Sequence, residues 1–273
     1  MTDQGQLLTS KEMAQFVSAG FLRFDGLVPD ELNREAMPAL EAGFERPKAG
    51  TPLPLAYAED SVVRKILSLP RIRGAIRSLV GPEPLVDHHA IHVRQPRGGE
   101  AQHLHADAII DTRTTFDVQL MYYPQDVPLE MGGTLVVPGS HLRRINETDI
   151  GRYQNLCGQV PLVCPAGTVL ILHHGIWHCG RRNDTDQVRY MFKIRLNPTV
   201  RQVRLWDTAD LDDAGVRANL RQGFPWYESA TARLEITNRA RMWRSLTADE
   251  TYDTDYWLTR LENEPTRVLA PTG

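Results

Sequence analysis

Near Leu85 the spacing of apolar residues changes from three-and-four to two, and few architectures accept a mostly helical stretch followed by a run of short strands. Upstream, helical periodicity dominates. Residues 9–20 read as a helix that Thr9 or Ser10 can cap, with Glu12 in its first turn, Met13, Phe16 and Val17 as its apolar stripe, and Gly20 at its end. A short strand over 21–24 follows, then a second helix from Asp30 to about Phe44. Residues 45–54 form a Pro/Gly loop of the kind that often sits over a pocket mouth. Helices over 60–69 and 70–81 open at Asp60 and Pro70. Downstream, strands are expected over 85–95, 116–123, 133–137, 160–164, 167–173 and 187–196, separated by turn residues. Strands that follow helices without alternating with them do not build a parallel sheet. They point to a mainly β fold with flanking α: an antiparallel, two-sheet jelly roll with the N-terminal helices packed outside.

The last of these strands, within 188–197 (VRYMFKIRLN), shows what such a fold needs. Arg189, Met191, Lys193 and Arg195 share one face, and Tyr190, Phe192, Ile194 and Leu196 share the other. The polar face is expected to look into a wet barrel mouth, and the apolar one to support helices. Beyond residue 199 a helix is expected over 231–246. Residues 251–262 begin as a loop and end helical, with Trp243, Tyr252, Tyr256 and Trp257 packing on the barrel or closing its mouth.

Composition narrows the function classes. With 273 residues, 41% of them hydrophobic, the chain can bury a sizeable core as a single domain: a mostly helical part over 1–84, a jelly-roll core over 85–198 and an extension over 199–273. A net charge of −3 offers no field for nucleic acid or an anionic membrane, and the basic runs 201–204 and 239–244 read as solvated faces. The three cysteines, Cys157, Cys164 and Cys179, have no metal-type spacing, and their odd number argues for a reducing compartment. The first twenty residues contain no apolar signal core, and no apolar run approaches eighteen residues. These features suggest a soluble, cytoplasmic protein acting on a small molecule, of undetermined oligomeric state.

Chemistry concentrates between His105 and Arg189. In extended backbone, His105 and Asp107 point to one face and can converge on one point. His178 would complete a set of two imidazoles and one carboxylate, which leaves open positions on an octahedral ion and suits non-haem Fe(II) oxygenases. Eleven residues beyond His178 comes Arg189.

The order of these pieces resembles the phytanoyl-CoA dioxygenase family of Fe(II)/2-oxoglutarate oxygenases. The matching residues are His105-x-Asp107, Gly133-x-Leu-x-x-Pro-Gly-Ser-His141, and His178 followed by Asn183 and Arg189; residues 10–32 also look like that family's opening helix and strand. The likeness spans about residues 10 to 198. It implies a double-stranded β-helix, or cupin-like barrel, in which His105, Asp107 and His178 hold Fe(II) and Arg189 receives the remote carboxylate of 2-oxoglutarate. In such enzymes O2 and 2-oxoglutarate are consumed, succinate and CO2 are released, and a substrate hydrogen is abstracted. Related halogenases have glycine or alanine in place of the carboxylate ligand, so Asp107 implies hydroxylation or another oxidation.

Other residues have two readings. Thr134 either bonds the cosubstrate carboxylate or serves the fold, and Gln102 either reaches the pocket or is a loop amide. His173 and His174 read as supporting groups, and His141 as a turn stabiliser. Of His88, His89 and His92, at most one is expected to face the site. Gly180 stands where some relatives have a serine that contacts 2-oxoglutarate, and Gln95 near where a lysine often precedes the proline. Two rival readings remain. One is a cupin-type metal protein using His103-x-His105 without 2-oxoglutarate; the other is a non-catalytic binding protein on the same barrel.

Overall fold

The computed structural model of the chain describes residues 6–107, 114–143, 155–227 and 232–253. It opens with helix α1 (Ser10–Ala19), which begins at a reciprocal cap. The Thr9 hydroxyl accepts from the Glu12 amide at 3.2 Å, and the Glu12 carboxylate accepts from the Thr9 amide at 3.0 Å. Gly20, at φ 83°, ends the helix and turns the chain directly into strand β1 (Phe21–Phe24). Helices α2 (Asp30–Ala42), α3 (Val62–Leu67) and α4 (Pro70–Val80) follow. Ser61, rather than Asp60, caps α3, its hydroxyl accepting from the Arg64 amide at 3.3 Å.

The expected 45–54 loop contains a short strand, β2 (Thr51–Pro52), paired with the start of β3 (Leu85–Arg94). It does not cover a mouth over the predicted ligands. It borders a cavity of about 630 Å³ lined by Phe44, Arg46, Lys48 and Tyr57, among others, and by none of His105, Asp107 and His178. The remaining strands are β4 (Val118–Tyr123), β5 (Thr134–Val136), β6 (Val160–Pro161), β7 (Thr168–His173), β8 (His178–Gly180) and β9 (Arg189–Asn197). Helices α5 (Ala214–Leu220) and α6 (Ala232–Thr247) close the described part. The helical end expected within 251–262, with Tyr256 and Trp257, lies outside the described residues.

Two antiparallel sheets result. One has the order β1-β7-β4-β9-β3-β2, and the other β6-β5-β8. Alternation along each strand divides the core in two. Val118, Leu120, Tyr122, Val169, Ile171, Phe192, Ile194 and Leu196 join the apolar faces of α1 to α4 in the larger cluster. Met121, Leu170, Leu172 and Met191 point the other way and meet Val136 of the second sheet. This is the jelly roll with external helices that the period-two pattern implies. Burying each such aliphatic or aromatic side chain contributes roughly 1.5–3 kcal/mol, so one-residue slips in β4, β7 or β9 are strongly disfavoured.

The C-terminal helix belongs to the larger cluster through Met242, Trp243 and Leu246, with the Trp206 and Trp243 rings 5.7 Å apart. One expectation fails here. Arg239, in the basic run read as a solvated face, is 1% exposed; its guanidinium lies over Phe224 and Tyr227 and donates to the Leu220 and Gln222 carbonyls. A planar, delocalised cation can be buried among rings and carbonyls, which residue counting in a polar helix does not reveal. Among the described residues, no helix is long and apolar enough to cross a membrane.

Candidate functional site

The segment carrying His105 and Asp107 adds itself to the free side of β8. The Gln102 N–H donates to the Gly180 carbonyl at 2.8 Å, and His105 and His178 form a mutual backbone pair at 3.0 and 2.8 Å. Leu104 anchors this segment by burying its side chain outward with Leu135, Val137, Trp177 and Cys179. Because Leu104 and Cys179 point outward, His105 and His178 point inward from neighbouring strands. Their rings lie 4.6 Å apart. Asp107 comes up beside them, its amide donating to the His174 carbonyl at 3.2 Å.

The three side chains present one donor atom each, all within 4.8 Å of one another, a group that could hold a metal ion. Each imidazole Nε2 is 3.8 Å from an Asp107 carboxylate oxygen, one on each oxygen. The Nδ1 of His105 faces the His103 carbonyl at 2.8 Å, and that of His178 the Ile176 carbonyl at 3.0 Å. A carbonyl only accepts, so Nδ1 carries the proton in both rings and Nε2 keeps its lone pair toward the carboxylate. Burial, reinforced by His105 against the opposing pull of Asp107, pushes the pKa of His178 down to about 4, so its ring is neutral at pH 7. Burial alone would raise the Asp107 carboxyl; His178, Lys193, His105 and a hydrogen bond from Gln119 outweigh it and hold the group below its ordinary value.

Arg189 comes from the facing sheet, at the start of β9, on the side that carries Lys193, whose Nζ lies 3.8 Å from Asp107. Arg189 is 2% exposed; among the described residues its guanidinium donates to the Met131 carbonyl at 3.4 Å and its Nε is buried without a partner. No carboxylate pairs with it among the described residues; Asp117 instead holds Arg195 at 2.7 Å. Burial, with Arg94 and Arg181 nearby, lowers the pKa of Arg189. Arg94 stands directly opposite Arg189 in the β3–β9 ladder. Like charges in that position repel, and an anion placed between them would relieve both. Buried Asn183 ties the two strand ends together, donating to the carbonyls of Arg94, Gln95 and Gln187 at 3.2, 3.3 and 2.7 Å.

Thr134 is buried on the inner face of β5, its hydroxyl 2.6 Å from that of Tyr123, whose pKa burial pushes up to about 12. Gln102 is exposed, and its carboxamide oxygen accepts from the Gly180 amide at 2.8 Å. A Cβ at residue 180 would meet that oxygen at 2.9 Å and the Arg94 guanidinium at 3.2 Å, so the Gln102 side chain occupies the room a serine there would need.

His141 is buried, and its Nε2 donates to the Val17 carbonyl at 3.0 Å, so it braces the end of α1. His173 and His174 stack on one another, with ring centroids 5.2 Å apart, and stand outside the donor group. Of the three β3 histidines, His89 bonds Tyr57 at 2.9 Å on the helix-covered side and His88 is exposed beside Asp87, while His92 faces inward. His103 is exposed and contributes no atom to the donor group, so the His103-x-His105 set is not assembled.

Reading the sequence did not single out Gln119, Tyr123 or Arg94. Two of them carried a signal: Gln119 is the lone amide in the strand VQLMYY, and Arg94 shares the parity of His92.

Residues 17–191 match the model of the family described as phytanoyl-CoA dioxygenase. Phytanoyl-CoA dioxygenase domain-containing protein 1 of Mus musculus is 26% identical over 157 residues, 51% of this chain and 54% of that protein; the chain thus spans about half the length of the curated relative. Two solved structures share the fold. HygX from Streptomyces hygroscopicus, with nickel and 2-oxoglutarate bound, aligns at a TM-score of 0.55 and 21% identity, over 77% of this chain and 94% of that one. The epimerase SnoN, in complex with Fe3+, alpha ketoglutarate and nogalamycin RO, aligns at 0.54 and 19%, over 69% and 83%. With the family model covering more than half of its residues, the chain belongs to the phytanoyl-CoA dioxygenase family.

Proposed function

We propose that this protein is an Fe(II)- and 2-oxoglutarate-dependent oxygenase that hydroxylates a small-molecule metabolite, or oxidises it otherwise by hydrogen abstraction, with 2-oxoglutarate converted to succinate and CO2. One observation carries the reading: a two-histidine, one-carboxylate group on one sheet faces the side of β9 in the other sheet that carries Arg189, a buried guanidinium without an acidic partner among the described residues. The donor set fits Fe(II), since neutral imidazoles and a carboxylate leave adjacent positions open. The orphaned Nε of Arg189 fits a dicarboxylate that reaches it from the ion. An Fe(II) ion held there would supply a site where the 2-oxo acid binds and where O2, the oxidant, is activated for hydrogen abstraction.

Each residue then has a task. His105, Asp107 and His178 hold the ion, and the His103 and Ile176 carbonyls fix the two rings. Gln119 restrains the Asp107 carboxylate by donating to its Oδ2. Arg189 takes the remote carboxylate of 2-oxoglutarate, with Arg94 and the Tyr123–Thr134 hydroxyl pair close by. Met121, Met191, Leu170 and Val136 exclude water between the two ends. An intact Asp107 favours hydroxylation over halogenation. We further read the whole chain as one domain, with α6 part of it, and its setting as cytoplasmic.

Adding 2-oxoglutarate anaerobically to the Fe(II)-loaded protein should give a weak visible charge-transfer band, and His178→Ala should remove it. Exposure to O2 should then convert 2-oxoglutarate to succinate. Undiminished substrate turnover with 2-oxoglutarate rigorously absent would replace this reading with a cosubstrate-independent metalloprotein.

A further inference from the structure

We propose that the substrate carries a carboxylate or phosphate group and that Lys193 receives it; this deepens the oxygenase reading above and rests on it. Lys193 sits on the inner face of β9, and its ladder partners are Ala90 on β3 and Met121 on β4. Neither side chain carries a charge or an oxygen to meet the ammonium, and the alanine leaves room beside it. The side chain is 14% exposed, and its one charged neighbour among the described residues is the Oδ2 of Asp107 at 3.8 Å. That distance is longer than a hydrogen bond. The same oxygen already accepts from Gln119, and Asp107 belongs to the metal-holding group.

The charges along this wall do not balance. Arg195, next on the same face, is neutralised by Asp117 at 2.7 Å, with Asp87 at 3.9 Å. Arg189 is matched by the remote carboxylate of 2-oxoglutarate. An ion held by Asp107 draws that carboxylate's charge to itself and leaves Lys193 as a poorly solvated cation beside another cation. A half-buried ammonium in that position costs free energy unless an anion joins it. Inward-facing His92 lies on the same side of the sheet with its Nε2 buried and unpartnered, a neutral group free to add one hydrogen bond. Its pKa is driven down to about 4 by burial, then by Lys193 and Arg94. Lys193 and His92 together describe a subsite for a negatively charged substituent, held against the wall next to the ion.

The test uses the protein loaded anaerobically with Fe(II) and 2-oxoglutarate, and follows the visible band during titration with benzoate, phenylphosphonate or neutral benzamide. The parent should bind at least one of the two anions about tenfold more tightly than benzamide, the scale of a charge-assisted hydrogen bond. Lys193→Met should lose that preference, and Lys193→Arg should keep most of it. The constant for 2-oxoglutarate should stay within about two-fold in both variants. Lys193→Gln serves if the methionine variant does not fold.

A parent that shows the band but no preference for the anions overturns this inference alone. So does an unchanged preference in Lys193→Met, or a loss there matched by a similar loss for 2-oxoglutarate or iron, since Lys193 would then serve the cosubstrate or Asp107. A parent without any band overturns the oxygenase reading, and this inference with it.

Discussion

At Arg189 a side chain usually found in water is buried with one long hydrogen bond and a vacant Nε. Leaving such a group unsatisfied is expensive, and a native structure that tolerates it has a partner in view. Pairing with Asp117 was the structural explanation open to this arginine. That aspartate is bonded to Arg195, which removes it. Arg189→Lys keeps the charge but loses the planar fork. The constant for 2-oxoglutarate should therefore rise about ten- to a hundred-fold, as expected for losing roughly 1.5–3 kcal/mol of charge-assisted bonding. Iron affinity, measured on the same variant, should hold within about two-fold. A variant that melts earlier yet binds 2-oxoglutarate as well as the parent would return Arg189 to a purely structural role.

Among the elements, the three-residue strand β8 matters more than its length suggests. It carries His178, pairs with β5 on one side, and is flanked on the other by the segment that carries His105. The chain just beyond it passes close to the backbone at Gly132. That residue has φ 68°, and a Cβ there would stand 1.8 Å from the Arg182 carbonyl oxygen. Gly132→Ala thus combines a left-handed backbone, costing roughly 1–2 kcal/mol, with a collision against main chain that cannot rotate away. A loss of about 2 kcal/mol or more is expected in urea denaturation, together with weaker metal uptake as the strand after His178 is displaced. A variant that stays as stable as the parent and takes up metal normally would show that this contact does not position β8. Long strands with clean alternation, such as β4, β7 and β9, were legible in advance because each face has a distinct core to bury. Strand β8 was not, since three residues (His, Cys, Gly) give no period to read. Helix α5 is similarly short and passed unnoticed.

Over the molecule as a whole, buried histidines make stability depend on pH. Burial lowers the pKa of His89, His92, His141 and His178, to about 3 in His141, where Arg239 adds to the effect. The native state keeps these rings neutral, while the unfolded chain takes up protons below about pH 6.5. Their contribution is therefore complete above that pH and is lost as the pH falls toward the folded values. His141→Gln removes one such group. Between pH 6.5 and 4 the metal-free parent should lose stability more steeply than the variant, by up to about 1.4 kcal/mol per pH unit. Denaturation midpoints across that range measure it, and parallel curves would refute it. At this scale too, the helices and the C-terminal part share one apolar cluster with the larger sheet, so the wall bearing Arg189 and Lys193 is stiffened from behind.

The sequence by itself determined the class of fold and singled out the residues on which the proposed chemistry rests. The change of period near Leu85 points to antiparallel sheets with helices packed outside, and the order of His105, Asp107, His178 and Arg189 is chemical information that survives without coordinates. These features are legible because they depend on neighbours along the chain: alternation within a strand, a cap three residues from its partner, a histidine two residues from a carboxylate. Only the tertiary structure decided which charges are satisfied. Arg195 has Asp117 and Arg239 has ring faces and carbonyls, whereas Arg189 has no acidic partner among the described residues and Lys193 only a distant one. The reason is physical. Pairing a buried charge depends on which strands lie side by side and on their register, and Arg94 meets Arg189 across 95 positions of chain only because β3 pairs with β9.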